Sequence, residues 1–172
     1  MLTITRKATA IAVFISALSF ASATFAQGGG VEFSMRAIDG ESVTSQSLRG
    51  EVAVLAFGTS WLPLTRTQLE GVKKLADQYA GKGVAVYWVS VDSDSPKSKN
   101  YVPDDQLREL ARKYKVTILR DPDGVASRKM GVDQLPSVVI LDKQGNIAAS
   151  MGGMDPNANL TTQLAARLDK IL

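Results

Sequence analysis

The fold is decided by one continuous stretch, Val52-Ala53-Val54-Leu55-Ala56-Phe57-Gly58-Thr59-Ser60-Trp61-Leu62-Pro63-Leu64-Thr65-Arg66. It opens with an uninterrupted apolar run, which is typical of a central strand covered on both faces. After Arg66 the apolar side chains recur at helical spacing, at Leu69, Val72, Leu75 and Tyr79. The stretch therefore predicts a buried strand that passes through a short turn directly into a helix.

Strand and helix patterns continue on both sides of this unit. Before it, apolar residues alternate with polar ones over residues 31–36, and Asp39-Gly40 is a strong hairpin signal from which residues 42–44 would pair back. After it, we predict strands at 84–91, 116–119, 137–141 and 147–151, a helix from Asp104, a short helix over 125–130, and a last helix capped by Asp155 with Pro156 at its first position. Such alternation indicates an α/β sandwich around a mixed sheet.

The N-terminal residues 1–26 have the features of a secretory signal peptide. Arg6 and Lys7 precede the apolar run from Ala8 to Phe20, and Thr24-Phe25-Ala26 places small residues at the −3 and −1 positions of a cleavage site. We expect this segment to be removed, which would leave no stable membrane insertion. An uncleaved membrane anchor is the alternative, because residues 8–26 carry no charge.

Composition limits what the remaining chain can do. Residues 27–30 are predicted to form a flexible glycine leader and residues 31–172 a single domain. The full chain has 20 basic and 17 acidic residues, and removal of the signal takes away Arg6 and Lys7. No basic run with interleaved aromatic residues remains, so nucleic-acid binding has no support. The chain has no cysteine, so packing rather than disulfides must hold the domain together.

Several motifs, taken in order, point to a known family. They are Asp39-Gly40, Leu48-Arg49-Gly50, Phe57-Gly58-Thr59-Ser60-Trp61, Asp121-Pro122-Asp123-Gly124, Gly131-Val132, Leu135-Pro136-Ser137 and Leu141-Asp142-Lys143-Gln144-Gly145. This series resembles the redoxin branch of the thioredoxin superfamily, specifically the exported TlpA-like thiol-disulfide oxidoreductases, over about residues 31–172. The resemblance implies a thioredoxin-like fold: a central mixed sheet sandwiched by helices, with an N-terminal β-hairpin extension.

The resemblance also identifies the active-site turn, and there the chain departs from the family. Members carry Trp-Cys-x-x-Cys-Arg, whereas here Leu62 and Thr65 occupy the two cysteine positions. The resemblance further implies that Pro136 is a cis-proline facing the turn and that Leu135 presents its backbone to a bound substrate. From the residues alone, an ordinary trans proline at the first residue of a strand fits equally well.

Without thiols the activity of the family is excluded. Thiol exchange needs a thiolate at a helix N-terminus and a second thiol to resolve the mixed disulfide. Leu62 cannot be a nucleophile, and Thr65 has no histidine anywhere in the chain to deprotonate it. We expect Thr65 to be a first-turn helix residue that hydrogen-bonds locally. Peroxidase chemistry and copper delivery, as seen in related domains, fail because both need cysteines.

The resemblance implies one further functional feature that needs no thiol, a groove that accepts extended polypeptide. By the resemblance, the groove at this turn would be formed by Trp61, Leu62, Leu64, Leu135 and Pro136. An exposed apolar cluster of this kind indicates a partner site. Alternatively, Leu62 and Leu64 fold inward and fill the space that the lost site left behind.

Other chemistry-bearing residues give weaker signals. Met151 and Met154 could offer two thioethers to Cu(I), but without histidine or cysteine the set is incomplete and structural filling explains it better. Asp92 and Asp94 follow a central strand, where ligands gather in α/β sheets, although a solvated loop explains them adequately. Residues 121–124 suit a turn with local hydrogen bonds. We therefore expect neither a metal nor a cofactor.

Three classes of function follow from these patterns. The leading prediction is a redox-inactive module that binds an exported or envelope protein or peptide in the periplasm or an equivalent extracytoplasmic space. The second is a structural subunit of an envelope complex, in which the groove plays no part. The third is an enzyme of the oxidoreductase family with altered, non-thiol chemistry.

Overall fold

The fold is a seven-stranded mixed sheet with four helices, seen in a computed structural model that describes residues 29–153 and 159–172. The strands are β1 (Ser34–Ala37), β2 (Ser42–Thr44), β3 (Val52–Gly58), β4 (Val84–Ser90), β5 (Ile118–Arg120), β6 (Ser137–Leu141) and β7 (Ile147–Gly152). The helices are α1 (Thr65–Gln78), α2 (Asp104–Tyr114), α3 (Val125–Lys129) and α4 (Leu160–Leu168). The strand order is β2-β1-β5-β4-β3-β6-β7.

Strand β3 lies in the interior of the sheet, between β4 and β6, and is buried along its whole length. It pairs in parallel with β4 and antiparallel with β6, so that Phe57 lies opposite Val89 on one side and Ser137 on the other. The hairpin of β1 and β2 joins the sheet through an antiparallel pairing of β1 with β5. The uninterrupted apolar sequence of β3 is thus explained by neighbours on both edges and cover on both faces.

Two apolar clusters fill the faces of the sheet. On one face, Val52, Val54 and Ala56 pack against side chains of α1, α2 and α4. On the other, Ala53, Leu55 and Phe57 pack against the hairpin region and α3, through Phe33, Met35, Val43, Leu48, Ala126 and Met130. The alternation of β3 residues between the two clusters follows from the two-residue period of a strand.

The predicted α/β class, mixed sheet and N-terminal hairpin are confirmed, and two elements begin at other residues than predicted. Strand β5 begins at Ile118 instead of residue 116. Helix α4 begins at Leu160, and the Asn159 side chain caps it by accepting a hydrogen bond from the Thr161 amide at 2.9 Å. Asparagine is a favoured residue at this capping position. The cap predicted at Asp155 and the first-position Pro156 lie outside the described residues.

The signal peptide predicted at residues 1–26 and the first half of the glycine leader, residues 27 and 28, also lie outside the described residues. Within residues 29–153 and 159–172, no helix combines the length and apolar character needed to cross a bilayer.

Candidate functional site

The turn between β3 and α1 carries the residues that the sequence singled out. Trp61 has 60% of its surface exposed. Leu62 and Leu64 are half-buried, so neither the exposed nor the inward-folded alternative describes them fully. Thr65 is 5% exposed and is the first residue of α1. The outer surface of the turn is therefore apolar, and its inner surface begins at Thr65.

The hydroxyl of Thr65 is committed to the backbone. Its Oγ1 donates to the carbonyl oxygen of Thr59 at 2.5 Å, and its amide donates to the carbonyl of Leu62 at 3.0 Å. The prediction of a first-turn residue with local hydrogen bonds is confirmed. Since the hydroxyl proton is held by a carbonyl rather than by a base, Thr65 has no activated nucleophile to offer.

A fully buried glutamine lies one helical turn further along α1. Gln68 Nε2 donates to the carbonyls of Phe57 at 3.1 Å and Ser137 at 3.3 Å, and its Oε1 accepts from the indole Nε1 of Trp88 at 2.8 Å. Gly58 makes room for this contact, because a Cβ there would meet Gln68 Oε1 at 2.6 Å. The amide thus ties α1 to the ends of three strands, β3, β4 and β6, and being neutral it is no proton donor to chemistry at the turn.

A buried carboxylate holds the other side of the turn. Asp92 Oδ2 accepts from the Ser60 amide at 2.8 Å and from the Ser90 hydroxyl at 2.9 Å. The Asp92 carbonyl in turn accepts from the guanidinium of Arg120, which is 3% exposed, at 3.2 Å. These bonds fix the backbone where the chain leaves β3. Asp92 therefore acts on the position of the turn.

An ionic cluster lies behind Asp92. Arg120 donates to Asp104 at 2.7 Å, and Arg36 forms a second ion pair with the same carboxylate at 2.9 Å. The hydrogen bond from Arg36, reinforced by Arg120, holds the pKa of Asp104 below its ordinary value although partial burial opposes this. Asp104 is thus the anionic centre that compensates the buried guanidinium.

Several buried oxygen atoms beneath the turn make no hydrogen bond within the described residues. Within the described residues, four buried oxygens at this site have no partner: Thr59 Oγ1, Ser60 Oγ, Asp92 Oδ1 and Ser137 Oγ. They come from the turn, the end of β4 and the start of β6. The interior behind the outer leucines is therefore polar.

The bond between Leu135 and Pro136 is cis, as the resemblance implied. Pro136 is buried and Leu135 half-buried. Ser137, the next residue, accepts from Gln68 and pairs with Phe57, which places the proline beside the turn. The structure thus brings the proline loop and the turn to the same end of the sheet.

The five predicted groove residues do not share one cavity among those lined by the described residues. Leu62 borders a cavity of about 370 Å³ on the α2 side, which Pro63 and Leu110 also line. Leu135 borders a different cavity of about 550 Å³, together with Val91, Pro122 and Val132. Trp61, Leu64 and Pro136 line neither cavity. A single groove formed by Trp61, Leu62, Leu64, Leu135 and Pro136 stays a prediction.

The remaining candidates have structural surroundings. Asp94 is exposed, and both carboxylate oxygens of Asp121 accept backbone amides, from Ala126 at 3.0 Å and Ser127 at 2.8 Å. Met151 is half-buried in β7, whereas residue 154 lies outside the described part. In the ranges that the structure describes, no three acidic, histidine or cysteine side chains are grouped closely enough to hold a metal ion.

Sequence reasoning missed Gln68, although a signal was available. Counting from Thr65, positions 68, 69 and 72 fall on one helical face, and Leu69 and Val72 are core residues. A polar residue on an apolar stripe must find buried partners, because leaving them unpaired is costly. The apolar stripe of α1 indicates that Gln68 is buried, but it does not identify the hydrogen-bond partners of Gln68, which lie on strands distant in sequence.

Comparison with known proteins gives a consistent result. The model of the AhpC/TSA family matches residues 30–150. The thioredoxin-like protein YneN of Bacillus subtilis is 30% identical over 118 residues, which are 67% of this chain and 65% of that protein. The thiol:disulfide interchange protein DsbE of Pseudomonas aeruginosa is 27% identical over 130 residues, 76% of this chain and 67% of that protein.

A solved structure shows the same fold. MTB dsbF, determined in its mixed oxidized and reduced forms, superimposes with a TM-score of 0.64 at 25% sequence identity. The match covers 83% of this chain and 96% of that one. The thioredoxin-like fold expected from the ordered motifs is confirmed.

Proposed function

This chain belongs to the AhpC/TSA family but has no cysteine, and we propose that it is an exported, redox-inactive module that binds polypeptide at the β3–α1 turn. Two properties of a thioredoxin-like site are separable. Thiol exchange is lost with the thiols, whereas recognition of an extended chain needs only a shaped, accessible surface.

The exposure of Trp61 supports the binding role. A tryptophan with 60% of its surface in solvent presents a large apolar area beside the half-buried Leu62 and Leu64. Aromatic anchors of this kind dominate binding energies when a partner covers them. The turn that presents them is held by the buried bonds of Gln68 and Asp92, so little ordering cost falls on the binding step.

Export is proposed from the N-terminal sequence. The charged start, apolar run and small-residue exit of residues 1–26 are those of a secretory signal. The partner is then an exported or envelope polypeptide. Fusion of residues 1–30 to a reporter that is active only outside the cytoplasm tests this part: activity is expected, and its absence would contradict export.

Iodide quenching of tryptophan fluorescence tests binding at the turn. The chain has two tryptophans, and because Trp88 is fully buried, iodide reports on Trp61. The probe is insulin B chain with alkylated cysteines, which cannot exchange disulfides. We expect the bound chain to protect Trp61 from iodide, and the protection to disappear in the Leu62→Ser/Leu64→Ser variant.

Ile147→Ser is the matched control. Ile147 is also a large exposed apolar side chain, at 40% exposure, but it lies at the end of β7 that is remote from the turn. This variant is expected to keep full protection of Trp61. Unchanged protection in the double serine variant would contradict the proposal. Reduction of insulin disulfides by the native protein would contradict redox inactivity.

A further inference from the structure

A strongly basic cavity lies between α1 and α2. Its volume is about 620 Å³, and five cations line it: Arg66, Lys73, Lys74, Lys113 and Lys115. We call this cavity the basic trench. Glu70 is the one acidic residue in its lining, and Tyr114 completes the wall. A cleft lined by charges of one sign focuses the field and attracts an oppositely charged ligand.

Most of the positive charges that line the basic trench can attract an anionic ligand. Lys73 forms an ion pair with Asp77 one turn along α1. In the part of the chain that the structure describes, no ion pair involves Arg66, Lys74, Lys113 or Lys115. Unpaired like charges on two packed helices repel one another, and the repulsion is relieved when an anion binds.

The basic trench opens toward the turn. Arg66 and Tyr114 also line the neighbouring cavity of about 370 Å³ that contains Leu62. That end has a mixed lining, in which Leu62, Pro63 and Leu110 alternate with the polar residues Ser60, Thr65 and Thr67. The two cavities therefore meet at Arg66 and Tyr114, with leucine side chains on the turn side and a cationic end near the C-terminus of α2.

We infer that the basic trench binds an acidic segment of an extended polypeptide whose neighbouring apolar residue rests against Leu62 and Leu110. This inference rests on the proposed function and specifies its partner. The leucine side chains on the turn side favour a peptide over a single-stranded nucleic acid, which binds along a cationic groove with aromatic side chains that stack on its bases. Tyr114 is the single aromatic residue in the lining of either cavity.

Two synthetic peptides test the inference. Both carry the same leucine-containing segment, followed by four glutamates in one and four glutamines in the other. We expect the glutamate peptide to bind about tenfold more tightly at low ionic strength, with an affinity that falls as salt is added. Removal of the opposing charge in Glu70→Gln is expected to tighten binding of the glutamate peptide further.

Charge reversal provides the specific variant. Lys74→Glu/Lys113→Glu changes two exposed side chains of the basic trench and is expected to bind the glutamate peptide no better than the glutamine peptide. Lys97→Glu/Lys170→Glu makes the same change of net charge at exposed positions outside these cavities and should bind like the native protein.

The outcomes separate this inference from the proposed function. Equal, Leu62-dependent affinities for the two peptides would overturn the basic trench as an acidic-peptide site and leave binding at the turn intact. No binding of either peptide would overturn both. Tighter binding of phosphatidylglycerol vesicles or a single-stranded oligonucleotide than of the glutamate peptide, lost in the Lys74→Glu/Lys113→Glu variant, would overturn the assignment to a polypeptide.

Discussion

The two sides of the β3–α1 turn differ in how they are held. On the inner side, Thr65, Gln68 and Asp92 are buried and hydrogen-bonded to the backbone of the turn or of adjacent strands. On the outer side, Trp61 is largely in solvent and Leu62 is half-buried. The inner side determines where the turn lies, and the outer side determines what the turn presents.

The buried bonds of the inner side explain how the turn keeps its shape in a chain without cysteine. The bonds that position the turn end on carbonyls of Phe57, Thr59 and Ser137 and on the amide of Ser60. None of them needs a thiol. Residues on the outer side can therefore change the function while the free energy of folding stays almost unchanged.

Replacement of Gln68 by leucine is expected to have the largest effect on stability. Leucine is of similar size but removes the side-chain donor to two buried carbonyls and the acceptor of the Trp88 indole. The free energy of unfolding should fall by about 3 kcal/mol or more. Chemical denaturation measures it, with the exposed Gln163→Leu on α4 as control; a loss no larger than that of the control would contradict the role of the inner side.

Asp104→Asn should be next, and its effect should depend on pH. The native carboxylate, whose pKa is lowered mainly by the hydrogen bond from Arg36 and further by Arg120, stabilises the fold by roughly 2 kcal/mol at neutral pH. Because the folded pKa is depressed, this contribution is present above the ordinary pKa of about 3.9 and is lost as pH falls through the lower folded value.

Denaturation between pH 7 and pH 3 (chosen to bracket the ordinary aspartate pKa) measures this effect. The difference between native protein and Asp104→Asn should shrink below about pH 4. Asp105→Asn changes a side chain that is 90% exposed and should differ little from the native protein at any pH. A constant difference between native protein and Asp104→Asn would show that charge is not its cause.

Thr65→Val tests a single bond of the inner side. Valine keeps the shape but removes the donor to Thr59, at a cost of about 1.5 kcal/mol of unfolding free energy. The exposed Thr162→Val is the matched control.

Single cysteines test the same difference between the two sides of the turn. Thr65→Cys should react with maleimide more slowly than Leu62→Cys, because Thr65 is buried and Leu62 is only half-buried. Equal maleimide labelling rates for the two cysteine variants would contradict the difference between the inner and outer sides of the turn.

Trp61→Ser should have the smallest effect on stability. The side chain is mostly in solvent, so the free energy of unfolding should change by less than about 1 kcal/mol. The fluorescence of the remaining Trp88 should be insensitive to iodide, since that residue is fully buried. Strong iodide quenching of this variant would mean that the outer and inner sides are not separate.

Local sequence predicts the strand, the turn and the start of α1 because each depends on neighbouring residues. The apolar run of β3, the Asp39-Gly40 turn and the stripe from Leu69 onward needed no tertiary information. The end of α2 is harder to predict from the sequence, because the residue after the helix, Lys115, adopts a left-handed conformation that glycine normally supplies.

The buried partners and the basic trench depend on distant parts of the chain. Gln68 meets Ser137 across 69 residues of sequence. The cations of the basic trench come from α1, from the last turn of α2 and from Lys115 directly after it. Strand β4 lies between these helices in the sequence, so no single basic run reveals the trench. The surroundings of Leu62 likewise depend on a distant element, because Leu110 of α2 lines the same cavity, and periodicity along the chain does not determine where α2 lies.

The most direct test of the central claim is the dissociation constant of insulin B chain measured by titration calorimetry, with its cysteines free, alkylated, or free in excess reductant. A non-covalent site at the outer side of the turn predicts the same constant in all three states, and a constant at least about tenfold higher for Leu62→Ser/Leu64→Ser. Binding that requires free partner thiols, or that the double variant leaves unchanged, would contradict the account.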